Sequence, residues 1–140
     1  MYSRTDFIVD GGHNPQCVDA LAAALESLYP GRKLIFLSGV LADKDWHSMF
    51  RRVLPLAKAF VAVTPDSPRA LSAQELADYL KSLGAQAQPW LAQFSIPVSV
   101  QETLDQGVDT ALALAGPEDV ICAWGSLYSV GEIRHHLGLC

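Results

Sequence analysis

Residues 34–37 read Leu-Ile-Phe-Leu, an unbroken apolar run closed by Ser38-Gly39. A strand with one wet face alternates apolar and polar side chains, so a run without a polar member is the pattern of a strand covered on both faces. Phe7-Ile8-Val9, Phe60-Val61-Ala62-Val63 and the stretch from Val120 to Trp124 share that character. Asp10-Gly11-Gly12 ends the first of these, Thr64-Pro65 the second and Gly125-Ser126 the third. A shorter strand is expected over residues 98–100, antiparallel or at an edge.

The intervening segments change period. Val18, Leu21, Ala22, Leu25 and Leu28 fall three and four residues apart, placing one apolar stripe on a helix. Asn14 is a natural N-cap for it, since its side-chain oxygen can accept from a free first-turn amide. Pro15 follows at the position where a missing N–H costs nothing, and Pro30-Gly31 stops the helix. Asp43 or Asp45 caps a second helix with the stripe Trp46, Met49, Phe50 and Val53, bent or ended by Pro55. Ser72 and Glu75 have capping-box spacing ahead of Leu76, Leu80 and Leu83, with Gly84 as the expected stop. Leu104, Val108, Ala111, Leu112 and Ala115 form another stripe, ended by Gly116-Pro117, and a last helix is expected to reach about His136. Residues 85–97 carry no readable pattern. Alternation of apolar strands with one-sided helices is the signature of an α/β fold, a mostly parallel sheet with helices on both faces.

The bulk composition narrows function. The chain has 140 residues, half of them apolar and 18% charged, which suits one domain with a sizeable core. A formal net charge of -5 without a Lys/Arg run argues against nucleic acid or an anionic membrane as partner. No apolar stretch reaches the length of a membrane span, and the first residues are not those of a signal peptide. Cys17, Cys122 and Cys140 are odd in number and lack metal-ligand spacing, so a reduced cytoplasmic setting and no metal site are expected.

In such a sheet ligands lie beyond the carboxyl ends of the strands. The residues that follow the strands are Asp10-Gly11-Gly12-His13-Asn14, Ser38-Gly39 with Asp43-Lys44-Asp45, Thr64-Pro65 with Arg69, and Gly125-Ser126 with Tyr128. Each also has a plain structural account. Asp10 and Asn14 suit a turn and a cap, His13 a solvated loop, Lys44 a solvated helix start, and Ser126 a cap in competition with a Ser129/Glu132 box. His135-His136 suits helix-end carbonyls; as neighbours on a helix the two do not share a face for a metal. There is no GxxxxGK[ST] and no GxGxxG, which argues against both a P-loop and a dinucleotide dehydrogenase.

Taken together the loop motifs resemble those of one family. Asp10-Gly11-Gly12-His13-Asn14-Pro15 is similar to the D-G-A-H-N-P motif of folylpolyglutamate synthase and the bifunctional dihydrofolate synthase, with Gly12 in place of Ala. Residues 30–45, PGRKLIFLSGVLADKD, resemble that family's second strand and G-x-x-x-D-K-D loop. Residues 64–71, TPDSPRAL, are similar to its third strand end, and residues 124–134, WGSLYSVGEIR, to its closing G-S-L-Y-x-V-G-E motif. They occur in family order over nearly the whole chain.

The resemblance implies the C-terminal glutamate-ligase domain of a Mur-superfamily amide ligase. Its sheet would be Rossmann-like, of about six strands with one antiparallel. The reaction it implies joins L-glutamate to folate, or to dihydropteroate, through an acyl phosphate made with ATP and Mg²⁺. Asp10 and His13 would be catalytic and, with Asn14, face the nucleotide. Ser126 and Tyr128 would hold glutamate, while Lys44 and Arg69 would offer further positive charge. Gly12 would loosen its loop without abolishing function. A P-loop ATPase domain, which the family carries N-terminal to this one, would hold most of the ATP and Mg²⁺. Without it the chain is expected to be inactive. The rival readings are the corresponding domain of a cell-wall Mur ligase and a non-catalytic α/β binding module.

Overall fold

The computed structural model describes residues 6–10, 14–87 and 96–125. In chain order the elements are β1 (Asp6–Asp10), α1 (Pro15–Leu28), β2 (Leu34–Gly39), α2 (Trp46–Val53) with a 3₁₀ turn (Leu54–Leu56), β3 (Ala57–Val63), α3 (Ala73–Ala87), β4 (Val98–Gln101), α4 (Leu104–Leu114) and β5 (Val120–Gly125). The last expected helix, reaching to about His136, lies outside the described residues.

The helix starts follow their capping residues. Asn14 has an extended backbone, and its Oδ1 accepts from Cys17 N at 2.9 Å ahead of Pro15 at the first helical position. Of the two aspartates before α2, Asp45 is the cap, accepting from Ser48 N at 3.4 Å. Ser72 Oγ accepts from Glu75 N, and Thr64 Oγ1 from Ala73 N, so two free amides of α3 are satisfied from outside the helix. Gly84 does not stop α3, which continues to Ala87. A helical glycine costs only about 1 kcal/mol relative to alanine, and the alanines around it favour the helix.

The sheet has strand order β1-β5-β2-β3-β4, and every pairing is parallel. This corrects the expected count of about six strands to five among the described residues, with no antiparallel member. β4 does sit at the edge, but it pairs parallel to β3. The crossover through α3 explains this, because it returns the chain to the edge in the same direction. Among the described residues antiparallel pairing is confined to an isolated bridge, Leu41 with Ala70.

Successive steps β1 to β4 run one way across the sheet, and the return to β5 runs the other. Right-handed crossovers therefore place α1, α2 and α3 on one face and α4 on the opposite face. The core divides accordingly. On the first face Val18, Leu25, Met49, Phe50, Leu76 and Leu80 pack on Phe36, Phe60, Cys122 and Trp124. On the second, Leu104, Val108 and Ala111 of α4 pack on Ile35, Leu37, Val61, Val63, Ile121 and Ala123. Alternate residues of β2, β3 and β5 serve the two faces, which is why their sequences show no polar alternation. Among the described residues no helix is long and apolar enough to cross a membrane.

Candidate active site at the carboxyl edge of the sheet

β5 is inserted between β1 and β2, so three loops far apart in sequence leave the sheet side by side. Asp10 is in register with Trp124, and Ser38 is the register partner of Trp124 on the other side. Gly39 then pairs with Gly125. The loop leading to Asn14, the chain at residue 126 and the loop carrying Lys44 thus start from three adjacent strand ends. Asp10 itself belongs to the backbone of β1. His13, Ser126 and Tyr128 lie outside the described residues.

The floor beneath this edge is tightly built. Ser38, a buried polar residue, donates from Oγ to the Trp124 carbonyl at 2.8 Å. Gly125 has φ +139°, and a Cβ there would fall 2.2 Å from the Gly39 oxygen. A Cβ on Gly39 would meet Pro65 Cγ and the Val63 oxygen at 2.9 Å. Both glycines are therefore required by close approach, and Gly125 also by its positive φ. The Trp124 ring is buried against Phe50 at 4.7 Å, and its Nε1 has no hydrogen-bond partner among the described residues. The sequence marks Ser38 as closing the second strand and Trp124 as opening the last motif, but not the hydrogen bond that joins them across the two strands.

The loops after β2 and β3 are joined to each other. Ala42 N donates to Arg69 O at 2.8 Å and Leu71 N to Val40 O at 2.9 Å, on either side of the Leu41–Ala70 bridge. The Arg69 guanidinium grips the Asp43 carboxylate through Nε at 2.9 Å and also through Nη2. That hydrogen bond, reinforced by the charge of Arg69, holds the Asp43 carboxyl below its usual range. Arg69 thus stands at this edge paired with Asp43. Lys44 is half-buried, with no hydrogen-bond or ion-pair partner for its ammonium among the described residues. Ser67 Oγ accepts from Arg69 N, and Ser67 N donates to Pro65 O, so the Pro-Asp-Ser-Pro stretch acts as turn chemistry.

Residues 2–127 match the family described as Mur ligase, glutamate ligase domain. The chain belongs to that family. As a ligase domain it is 32% identical over 127 residues to a dihydrofolate synthase/folylpolyglutamate synthase of Haemophilus influenzae, covering 89% of this chain and 27% of that protein. It is 28% identical over 131 residues to the folylpolyglutamate synthase of Lacticaseibacillus casei, covering 93% of this chain and 26% of that one. Among solved structures, Mycobacterium tuberculosis folylpolyglutamate synthase complexed with ADP superposes with a TM-score of 0.77 at 27% identity, covering 96% of this chain and 30% of that one. The Yersinia pestis bifunctional enzyme complexed with AMPPNP and Mn ion shares the fold, with a TM-score of 0.78 at 20% identity over 99% of this chain and 30% of that one. The ligase domain spans about a quarter of the length of these curated relatives.

Proposed function

We infer that this chain is the glutamate-ligase part of an ATP-dependent enzyme that joins L-glutamate to folate or dihydropteroate. The observation that carries the reading is the convergence of three loops at adjacent strand ends, in a chain of the glutamate ligase domain family. Relatives named as folylpolyglutamate and dihydrofolate synthases favour the folate branch over cell-wall ligases.

On this reading Asp10 and His13 form the nucleotide-facing wall. His13 donates to a phosphate oxygen, a contact that strengthens as charge develops there. Asp10 orients the imidazole or accepts from a ribose hydroxyl. Asn14 caps a helix whose dipole favours a nearby anion. Ser126 and the amides that follow Gly125 receive a carboxylate of glutamate, with Tyr128 as a wall. The amine of glutamate forms the C–N bond and loses its proton, while the C–O bond to phosphate breaks and phosphate departs.

ATP with Mg²⁺ supplies the phosphoryl group that activates the acceptor carboxylate. Among the described residues no group of three or more His, Cys, Asp or Glu is placed to hold a metal ion, and the sequence has no P-loop. The reading assigns that site to a P-loop ATPase domain. The 140 residues alone are then inactive, and folate-dependent ADP release from them would contradict that assignment.

The test is a chimera in which this chain replaces the matching segment of the Haemophilus influenzae relative. Phosphate release that depends on L-glutamate together with folate or dihydropteroate supports the reading. A folded, ATP-binding chimera that uses only D-glutamate or diaminopimelate, or that releases no phosphate, refutes it.

A further inference from the structure

Between α3, the 3₁₀ turn and the amino ends of β3 and β4 the packing leaves a cavity of about 330 Å³. Phe60 and Leu80 are its buried members, and Leu54, Ile96 and Val98 are half-buried around them. Pro97 and Lys81 are exposed at its mouth. The hollow has local causes. Phe60 is in register with Val98, and its N–H donates to Pro97 O at 3.0 Å. Pro97 has no N–H of its own to carry the pairing further back, so the β3–β4 ladder starts only there. The Phe60 ring is held from behind by Phe36 at 5.4 Å and Phe50 at 6.0 Å, so the core fixes this side of the cavity. Close-packed interiors hold few voids larger than a water molecule, and apolar walls give water too few partners to order it. A volume within the range of about 300–1,000 Å³ used by small-molecule sites is therefore better matched to a ligand than to a packing fault. Lys81 is the one charged residue of the described lining, with no ion-pair partner for its ammonium among the described residues. No acidic side chain is among that lining.

We propose that this cavity binds a small amphipathic carboxylate, an apolar ring or short chain whose carboxylate meets the Lys81 ammonium at the mouth. The apolar walls take the body of such a molecule out of water, and the lone cation selects the sign of its head group. A simple anion such as phosphate would leave the walls unused, and an alkylammonium would meet like charge. Lys81 is exposed, so its attraction is screened and modest; apolar burial carries most of the affinity and Lys81 the preference. The cavity lies toward the opposite end of the sheet from the strand tips, and the proposal does not depend on the ligase reading.

The experiment is a nuclear magnetic resonance titration of the 140-residue chain, following the methyl groups of Leu54, Leu80, Ile96 and Val98. The probes are octanoate, 1-octanol and octylammonium, which share a chain and differ in charge. Octanoate is expected to shift these methyls at the lowest concentration and octylammonium at the highest. Lys81→Ala should weaken octanoate by about two- to five-fold, the worth of one exposed ion pair, and leave 1-octanol unchanged. Lys81→Glu should reverse the order of octanoate and octylammonium. Lys81 is a surface residue, so both variants keep the fold, and the 1-octanol response checks that the cavity is intact. Methyls that respond to none of the probes would overturn the proposal. So would an order of affinities that is the same in wild type and Lys81→Glu, because the cavity would then recognise no charge. If residues 88–95 of the chain itself are the occupant, octanoate enters a Trp90→Ala chain but not the wild type, and that outcome overturns it as well.

Discussion

Gly107→Ala sets two calculable effects against each other. Gly107 lies within α4, where alanine is favoured over glycine by about 0.8–1.0 kcal/mol on helix propensity alone. Packing opposes this. A Cβ at 107 would fall 2.3 Å from Val63 Cγ1 and 2.9 Å from Leu37 Cδ1. Carbon atoms reach their best separation at about 3.5–4.0 Å, so a gap of over 1 Å must be opened. Val63 and Leu37 are fully buried, and a β-branched side chain has little rotamer freedom to yield. The helix must lift, and Leu104, Val108 and Ala111 lift with it. Overpacking of this kind costs about 1–3 kcal/mol, occasionally more. The strong clash puts this site at the upper end, leaving a net loss of about 2 kcal/mol after the propensity gain. Urea denaturation should show the loss as a lower midpoint at unchanged slope. Val63→Ala removes the nearer obstacle, so the double variant should be more stable than the two single losses added together, by at least about 1 kcal/mol. A Gly107→Ala chain as stable as wild type, or a double variant that is simply additive, would refute the close helix–sheet approach.

Three further outcomes follow from named contacts. Asn14→Ala removes the acceptor for Cys17 N and should cost about 1 kcal/mol in denaturant melts, whereas Asn14→Asp retains most of it. Asp119 accepts from Lys58 Nζ and from Gly116 N, and these bonds lower its pKa. Because the folded value lies below the unfolded one of about 3.9, this stabilisation is complete above that pH and is lost as pH falls through the folded value. Asp119→Asn should therefore lower stability at neutral pH and flatten the acid limb, and identical melts of the two proteins from pH 6 to pH 2 would contradict it. In the chimera, His13→Ala and Asp10→Ala should each reduce kcat by about 10²–10⁴-fold; unchanged ligation would favour a non-catalytic binding module.

The strands and most helix starts were legible because their signals are local. A run such as Leu34–Leu37 has to be covered on both faces, whichever elements supply the cover. Asn14 and Ser72 act on amides three residues away. What escaped the sequence is non-local. The parallel sense of β4 depends on how α3 returns the chain, and Gly84 misled because glycine stops a helix only where a left-handed turn follows. The commitment of Arg69 depends on Asp43, 26 residues earlier; a cation in a polar loop reads the same whether bound or free. The candidate residues at positions 13, 126 and 128 remain readings from motif, while Asp10, Asn14 and Lys44 have a place in the described fold.

The position of β5 explains why dispersed motifs can serve one site. Had the chain simply continued outward after β4, its last loop would have emerged beyond the β4 edge, four strands from Asp10. The reversal through α4 instead places β5 between β1 and β2. That reversal also requires α4 to cross the opposite face, where Gly107 lets it lie close over Val63 and Leu37. With a strand hydrogen-bonded on both sides, the end of β5 is held at Asp10 and at Ser38 simultaneously. The closeness of Gly39 to Gly125 leaves no room for a side chain that would part the two strands. The spacing between the loop that reaches Asn14 and the loop that carries Lys44 is therefore fixed by backbone pairing through β5. Long, entropically costly side chains do not have to set it. A substitution at Gly125 should accordingly disturb both loops, although it belongs to neither.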